Sequence, residues 1–301
     1  TWTRINSTGV RPNKANLVDL ANGLISIENL VAGNGNFTSY LKAGADGGAR
    51  VTLSGLTTTS NGNISFGGTI TNASAQNLTL DTGLTSGTIS VTGAVGSGAA
   101  LGTLTISKSA GTTFSSTVNA ATIALTDSKV STAVTFSDSV TATTGLTVGA
   151  GTAAYNVVFN GSSNTIAGAT TFSNSGTVTF GNGGDTIAFT GGVTATAPSQ
   201  VNIGGTVEST NTGISIGDSG TPTVLTTTTT ISAGSGDITL GGTVDGTSAL
   251  TLNSTGTTTL SGAVGGGVGT ALTSLTTNAS GTTVINGGSV KTSGTQTYGD
   301  P

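Results

Sequence analysis

The chain has no cysteine, no histidine and no methionine. Without Cys there is no disulfide and no thiolate nucleophile or ligand. Without His, the imidazole base of a serine or cysteine triad and the commonest zinc ligand are missing. Freedom from Cys suits an exported chain, where mispairing is a hazard. Lacking Met, the sequence reads as a processed chain or a piece of something longer. Charge is scarce as well, at 7% charged residues and a net charge of −4. After Arg50 only Lys108, Lys129 and Lys291 are basic, against nine acids. Nucleic acid is therefore not an expected partner, because its recognition rests on clustered Lys and Arg. No apolar run approaches the ~18 residues of a spanning helix, and no signal peptide is visible at Thr1. The protein is read as not transmembrane. Aromatics are only 4%, which leaves a thin core of small side chains.

What is present is 50 Gly and an abundance of Thr, Ser, Ala and Asn, with Val, Ile and Leu regularly spaced among them. Low charge with recurrent apolar residues argues against disorder. Residues 1–50 stand apart. They hold Arg4, Arg11, Lys14, Lys42 and Arg50, five of the eight basic residues, and the only Trp, Trp2. Leu17, Leu20, Leu24 and Val31 fall at helix-like spacing, while Leu24-Ile25-Ser26-Ile27 also reads as a strand. This segment is expected to cap an apolar end or, alternatively, to act as a docking or assembly piece.

From about residue 51 short alternating phrases take over, such as Ile64-Ser65-Phe66, Leu78-Thr79-Leu80, Val134-Thr135-Phe136 and Ile238-Thr239-Leu240. Period-two alternation marks a strand with one buried face, and β-branched residues fit it. Gly, Asn, Ser and Asp between the phrases supply turns. One phrase occurs nearly twice, GNISFGGTI at 62–70 and GDITLGGTV at 236–244. The match extends with offsets of 169–174: Leu78 and Leu80 onto Leu250 and Leu252, Gly93-Ala94-Val95 onto Gly262-Ala263-Val264, and Gly111–Phe114 onto Gly281–Val284. We read the paired phrases as similar rungs of one rod.

Two architectures fit, a parallel β-solenoid and a string of small antiparallel sandwiches. Sandwiches favour larger core residues and strands of about 5–6 residues. Two or three inward residues per phrase favour the solenoid. Two or three phrases per turn give rungs of roughly 20–30 residues. At ~4.8 Å per rung, some 9 to 13 rungs make a rod on the order of 50 Å long.

The stretches GDITLGGTVDGTSALTLNSTGTTTLSGAV and LTSLTTNASGTTVINGGSVKTSGTQTYGDP resemble the repeat regions of very large bacterial surface proteins, the filamentous-haemagglutinin-like and autotransporter-like adhesins. The resemblance covers roughly residues 51–301 and is one of repeat style. It implies a right-handed parallel β-helix; the expected fold is thus an all-β solenoid over 51–301, to which the composition of residues 1–50 adds a distinct N-terminal cap or end segment. It also implies an extracellular or bacterial cell-surface location and a role as stalk, fibre or adhesive shaft. The secretion domain of that family is not recognisable in residues 1–50.

Four motifs bear on chemistry. Gly181–Ile187 resembles one calcium-binding nonapeptide, but such sites need neighbouring copies, so it reads as a Gly-rich turn. Thr226–Thr230 suggests an ice-binding face, which needs a Thr-x-Thr pair on every rung; no rung-periodic pair stands out, so it reads as a solvated strand. Asp127 with Asp138, and Asp237 with Asp245, are the closest carboxylate pairs that glycoside chemistry could use. With little base nearby they read as isolated turn aspartates. Asn-x-Ser/Thr sequons occur at Asn6, Asn36, Asn63, Asn72, Asn77, Asn160, Asn253 and Asn278. No catalytic, metal or cofactor residue is assigned, and no enzyme is expected. The expected function is a structural rod of an extracellular fibre or adhesin. Its partner would be itself, head to tail or laterally, or the rest of a larger surface protein. Ser289–Tyr298 still reads as repeat, which fits either a truncated protein or stacking. The alternatives are a glycan- or host-binding adhesive module and, behind it, a polysaccharide-active β-helix enzyme or an ice-binding protein.

Overall fold

The computed structural model describes residues 62–300 apart from 73, 268 and 269, together with the backbone of five strands between 25 and 58. Every strand pairing it describes is parallel, and no helix occurs among the described residues. The protein winds as a parallel β-solenoid of about 10 turns. Each turn lays one short strand on each of three faces. On the first face Ile64, Ile89, Thr112, Val134, Val157, Val178, Val201, Thr223 and Val244 lie in register, at steps of 21–25 residues. The second face begins Ile70, Val95, Val118 and Val140. The third carries Leu104, Ile123 and Leu146 and, further up, Val193, Ile214 and Ile238.

The alternation read from the sequence is the alternation of burial. In Ile64–Phe66, Leu78–Asp81, Ile214–Ile216 and Ile238–Leu240 the apolar residues point inward and the residue between them outward. Parallel registry then stacks like on like. Phe114, Phe136 and Phe159 form a file of rings 5.2 and 5.1 Å apart, inclined by 6° and 13°. Above them Phe172, Phe180 and Phe189 meet edge to face at 5.2–6.0 Å. The core is therefore not built of small side chains alone. Seven of the eight Phe are buried in it.

The repeated phrase is not a repeated rung. Ile64–Phe66 lies on the first face and Ile238–Leu240 on the third. Leu78–Leu80 lies on the third face, whereas Leu250–Leu252 continues the second. Thr223 is the seventh ladder partner above Ile64, and Ile238 follows two faces later, so the copies are seven and two-thirds turns apart. The repeating unit is one face with its corner. In it an inward residue is followed four positions later by the next inward residue, across small residues. Phe66 to Ile70 and Phe136 to Val140 turn from the first face to the second. Phe189 to Val193 turns from the second to the third, and Leu240 to Val244 from the third to the first.

Three strands fall inside residues 1–50: Ile25–Ile27, Leu30–Ala32 and Phe37–Ser39. They pair with Val51–Leu53, Leu56–Thr58 and Ile64–Phe66. Val31 is thus in a strand, against its helix-like spacing, because the ladder supplies partners that an isolated helical turn lacks. Trp2, Leu17, Leu20 and Leu24 lie outside the described residues.

Two inward threonines, Thr170 and Thr223, are buried with hydroxyls that have no hydrogen-bond partner. Thr223 is fully buried between Val201 and Val244 in its column. Valine has the same shape without the desolvated hydroxyl. We expect Thr223→Val to stabilise the protein by about 1 kcal/mol, read as a raised denaturation midpoint. No gain would mean that the hydroxyl is solvated in solution.

Candidate functional site

The carboxylates singled out above do not face one another. Asp127 and Asp138 sit at different corners. Asp127 is buried after Val118–Leu125 and accepts from the Thr152 amide at 3.1 Å and the Thr152 hydroxyl at 2.7 Å, one rung on. Asp138 accepts from its own neighbour, the Ser139 amide, at 2.7 Å. Asp237 accepts from the Thr257 amide at 2.7 Å. Asp245 takes the Gly267 amide at 3.0 Å and the Thr270 hydroxyl at 2.7 Å. Three of the four therefore hold the rung above.

Asparagines do the same work. Asn63 accepts from the Thr88 amide at 2.9 Å, Asn77 from Thr103 at 2.8 Å, Asn156 from Thr177 at 2.8 Å and Asn211 from Ser235 at 3.0 Å. Asn278 reaches down to the Ser254 amide at 3.0 Å. These side-chain oxygens replace backbone acceptors where a turn leaves the ladder, and so tie one rung's corner to the next. Three of the sequon asparagines, Asn63, Asn77 and Asn278, are committed in this way. Among the described residues no group of three or more acidic residues is placed to hold a metal ion.

The Gly-rich segment is a bulge. Registry with the next rung runs to Phe180 opposite Ile203 and resumes at Asp185 opposite Gly205. Asp185 closes the loop by accepting from the Asn182 amide at 2.8 Å. The five threonines are not a flat solvated strand. They turn the corner after Leu225, with Thr226 and Thr229 donating to the Ile203 carbonyl at 3.1 and 3.2 Å and Thr229 buried.

Threonine columns do exist on the outer faces, and one of them takes in Thr230 from the end of that run. Thr186, Thr206, Thr230, Thr251, Thr276 and Thr297 lie in unbroken register on the outside of the second face. On the third face Thr171, Thr194, Ser215, Thr239 and Thr259 do the same.

Among the described residues Tyr155 is the most buried ionisable group. Its hydroxyl donates to the Gly149 carbonyl at 2.7 Å. Burial, and then the negative charge of Asp127, push its pKa well above the usual phenol value of 10.0. A raised folded pKa means that the neutral phenol's contribution is complete below the unfolded value. It is lost as pH rises past about 10. Stability should therefore fall above that pH, and Tyr155→Phe should flatten the fall; an unchanged alkaline limb would place the sensitivity elsewhere.

No helix among the described residues is long and apolar enough to cross a membrane. The sequence matches no protein-family model, no curated protein and no solved structure.

Proposed function

We propose that the protein is the structural rod of an extracellular bacterial surface fibre or adhesin, and that its mechanism is geometry. The observation that carries this reading is how the polar groups are used. Backbone amides, Asp and Asn oxygens and many hydroxyls are spent on the neighbouring rung. A fold that commits its polar groups along one axis gains length and stiffness. Parallel ladders also have polarity, so one rod's terminal edge can accept the next rung from another copy, and such a heterologous contact runs on.

Electron microscopy of the purified protein at rising concentration tests this. Thin rods that join end to end support a fibre. Rods that stay separate at every concentration sink head-to-tail assembly, and compact particles sink the rod itself.

A second reading is favoured by the threonine columns. A binding module would present them to glycans of a host surface, with one hydroxyl per rung. Thr230→Lys and Thr251→Lys together would interrupt the second-face column without entering the core. Glycan retention that survives this double change would dismiss the reading for that face.

A further inference from the structure

We propose that Asn182 is a self-modifying position, at which the protein turns its own asparagine into aspartate and isoaspartate. Three Asn-Gly pairs lie wholly within the described residues: Asn160-Gly161, Asn182-Gly183 and Asn286-Gly287. In such a pair the glycine amide nitrogen attacks the asparagine Cγ. The new bond closes a five-membered succinimide, the bond between Cγ and Nδ2 breaks, and ammonia leaves with the proton of the attacking amide. Water then opens either carbonyl of the ring. One opening gives aspartate, and the other gives isoaspartate with one extra methylene in the backbone. Ring closure requires the glycine nitrogen to swing onto Cγ, so a clamped backbone resists it.

Two of the three pairs are clamped between rungs. The amides of Asn286 and Gly287 both donate to the Leu260 carbonyl, at 2.8 and 3.2 Å. Asn160 donates to the Phe136 carbonyl at 2.8 Å, and the buried Gly161 takes the Asn164 side-chain amide on its carbonyl at 2.7 Å. A Cβ on Gly161 would stand 2.4 Å from the Asp138 backbone, so nothing there can swing. Asn182-Gly183 differs on each count. Both residues are exposed, and both belong to the bulge between Phe180 and Asp185, where the ladder is interrupted. Gly183 has φ +136° and Gly184 φ +74°, with open space around Gly184. The only tie on Asn182 that bears on ring closure is its own amide, held by Asp185, which leaves the Gly183 nitrogen outside the ladder.

The same position tolerates the product. An added methylene inside a registered strand would break the ladder, but in the bulge it lengthens a loop that is already out of register. The rod would gain a carboxylate beside Asp185 and keep its fold.

The test is incubation of the full-length protein at mildly alkaline pH, followed by peptide mass mapping and enzymatic isoaspartate labelling. The folded protein is expected to deamidate at Asn182 about tenfold faster than at Asn160 or Asn286, the factor that one retained ladder hydrogen bond puts into a rate. In denaturant the three rates should converge. Asn182→Gln should remove the isoaspartate label from the peptide that spans residue 182, and thermal unfolding should be the same before and after modification there. Equal or faster reaction at Asn160 or Asn286 in the folded protein would overturn the proposal. So would an Asn182 that reacts only in denaturant.

Discussion

Replacing Phe136 by alanine is expected to destabilise the protein by about 3–5 kcal/mol, and to do so locally. Phe136 is fully buried between Phe114 and Phe159, with ring centroids 5.2 and 5.1 Å away. Its backbone is fixed on both sides, since Val134–Phe136 is registered with Thr112–Phe114 below and Val157–Phe159 above. The rungs cannot close over the gap without breaking those ladders, so most of the cavity persists. Two ring stacks are lost besides, each worth about 0.5–1.5 kcal/mol beyond burial. Stability in a solenoid is roughly a sum of rung and nearest-neighbour terms. Amide exchange should therefore rise first over the rungs between Thr112 and Phe159, while the ladder from Val201 to Val244 stays protected. A broadened or split calorimetric transition is the matching thermal signature. Phe136→Leu, which refills much of the volume, should cost about 1–1.5 kcal/mol. Uniform loss of protection along the whole rod would show that it unfolds as one cooperative unit.

The strands and their inward faces were legible because period-two alternation is a local property. Ile238–Leu240 and Leu250–Leu252 needed nothing beyond their own residues to be placed. Rung length is written in the sequence too, in the spacing of its largest side chains rather than in the repeated phrase. Phe114, Phe136, Phe159 and Phe180 are 22, 23 and 21 residues apart, and all four occupy the same face of successive rungs. The number of faces was not legible, because the repeated phrase marks a face and its copies drift around the rod. The threonine columns were hidden by the same irregularity. Thr186, Thr206, Thr230, Thr251 and Thr276 are separated by 20, 24, 21 and 25 residues, and only backbone registry, absorbing the differences in loops, aligns them. Nor could the sequence say what Asp127 does. Its partner, Thr152, lies 25 residues away, and the nearer Asp138 is irrelevant to it.

Corner glycines separate into two kinds, and the difference can be measured on adjacent rungs. Gly67 and Gly93 both belong to the corner between the first and second faces, following Phe66 and Val91. A Cβ on Gly67 would meet nothing within 4 Å. A Cβ on Gly93 would stand 2.3 Å from the Gly68 carbonyl carbon, 2.4 Å from its oxygen and 2.5 Å from the Thr69 nitrogen. All of these are backbone atoms held in the rung below. The pattern recurs where corners stack, with Gly191 over Gly168 and Gly262 over Gly242, at 2.2–2.3 Å from the lower carbonyl carbon. Glycine is needed there for close approach between rungs. Gly93→Ala can be accommodated only by lifting the rung, which stretches the Thr92 amide from the Phe66 carbonyl and the Gly96 amide from the Ile70 carbonyl, both now 2.8 Å. We expect a loss of about 3 kcal/mol, the upper end of overpacking penalties. Gly67→Ala adds no clash and reduces the freedom of the unfolded state. It should be neutral or stabilise by about 0.4–1 kcal/mol. Denaturant midpoints of the two variants decide the matter. Opposite signs would establish that rung-to-rung contact, rather than turn conformation, selects glycine at these corners, whereas similar losses would assign the requirement to the turn.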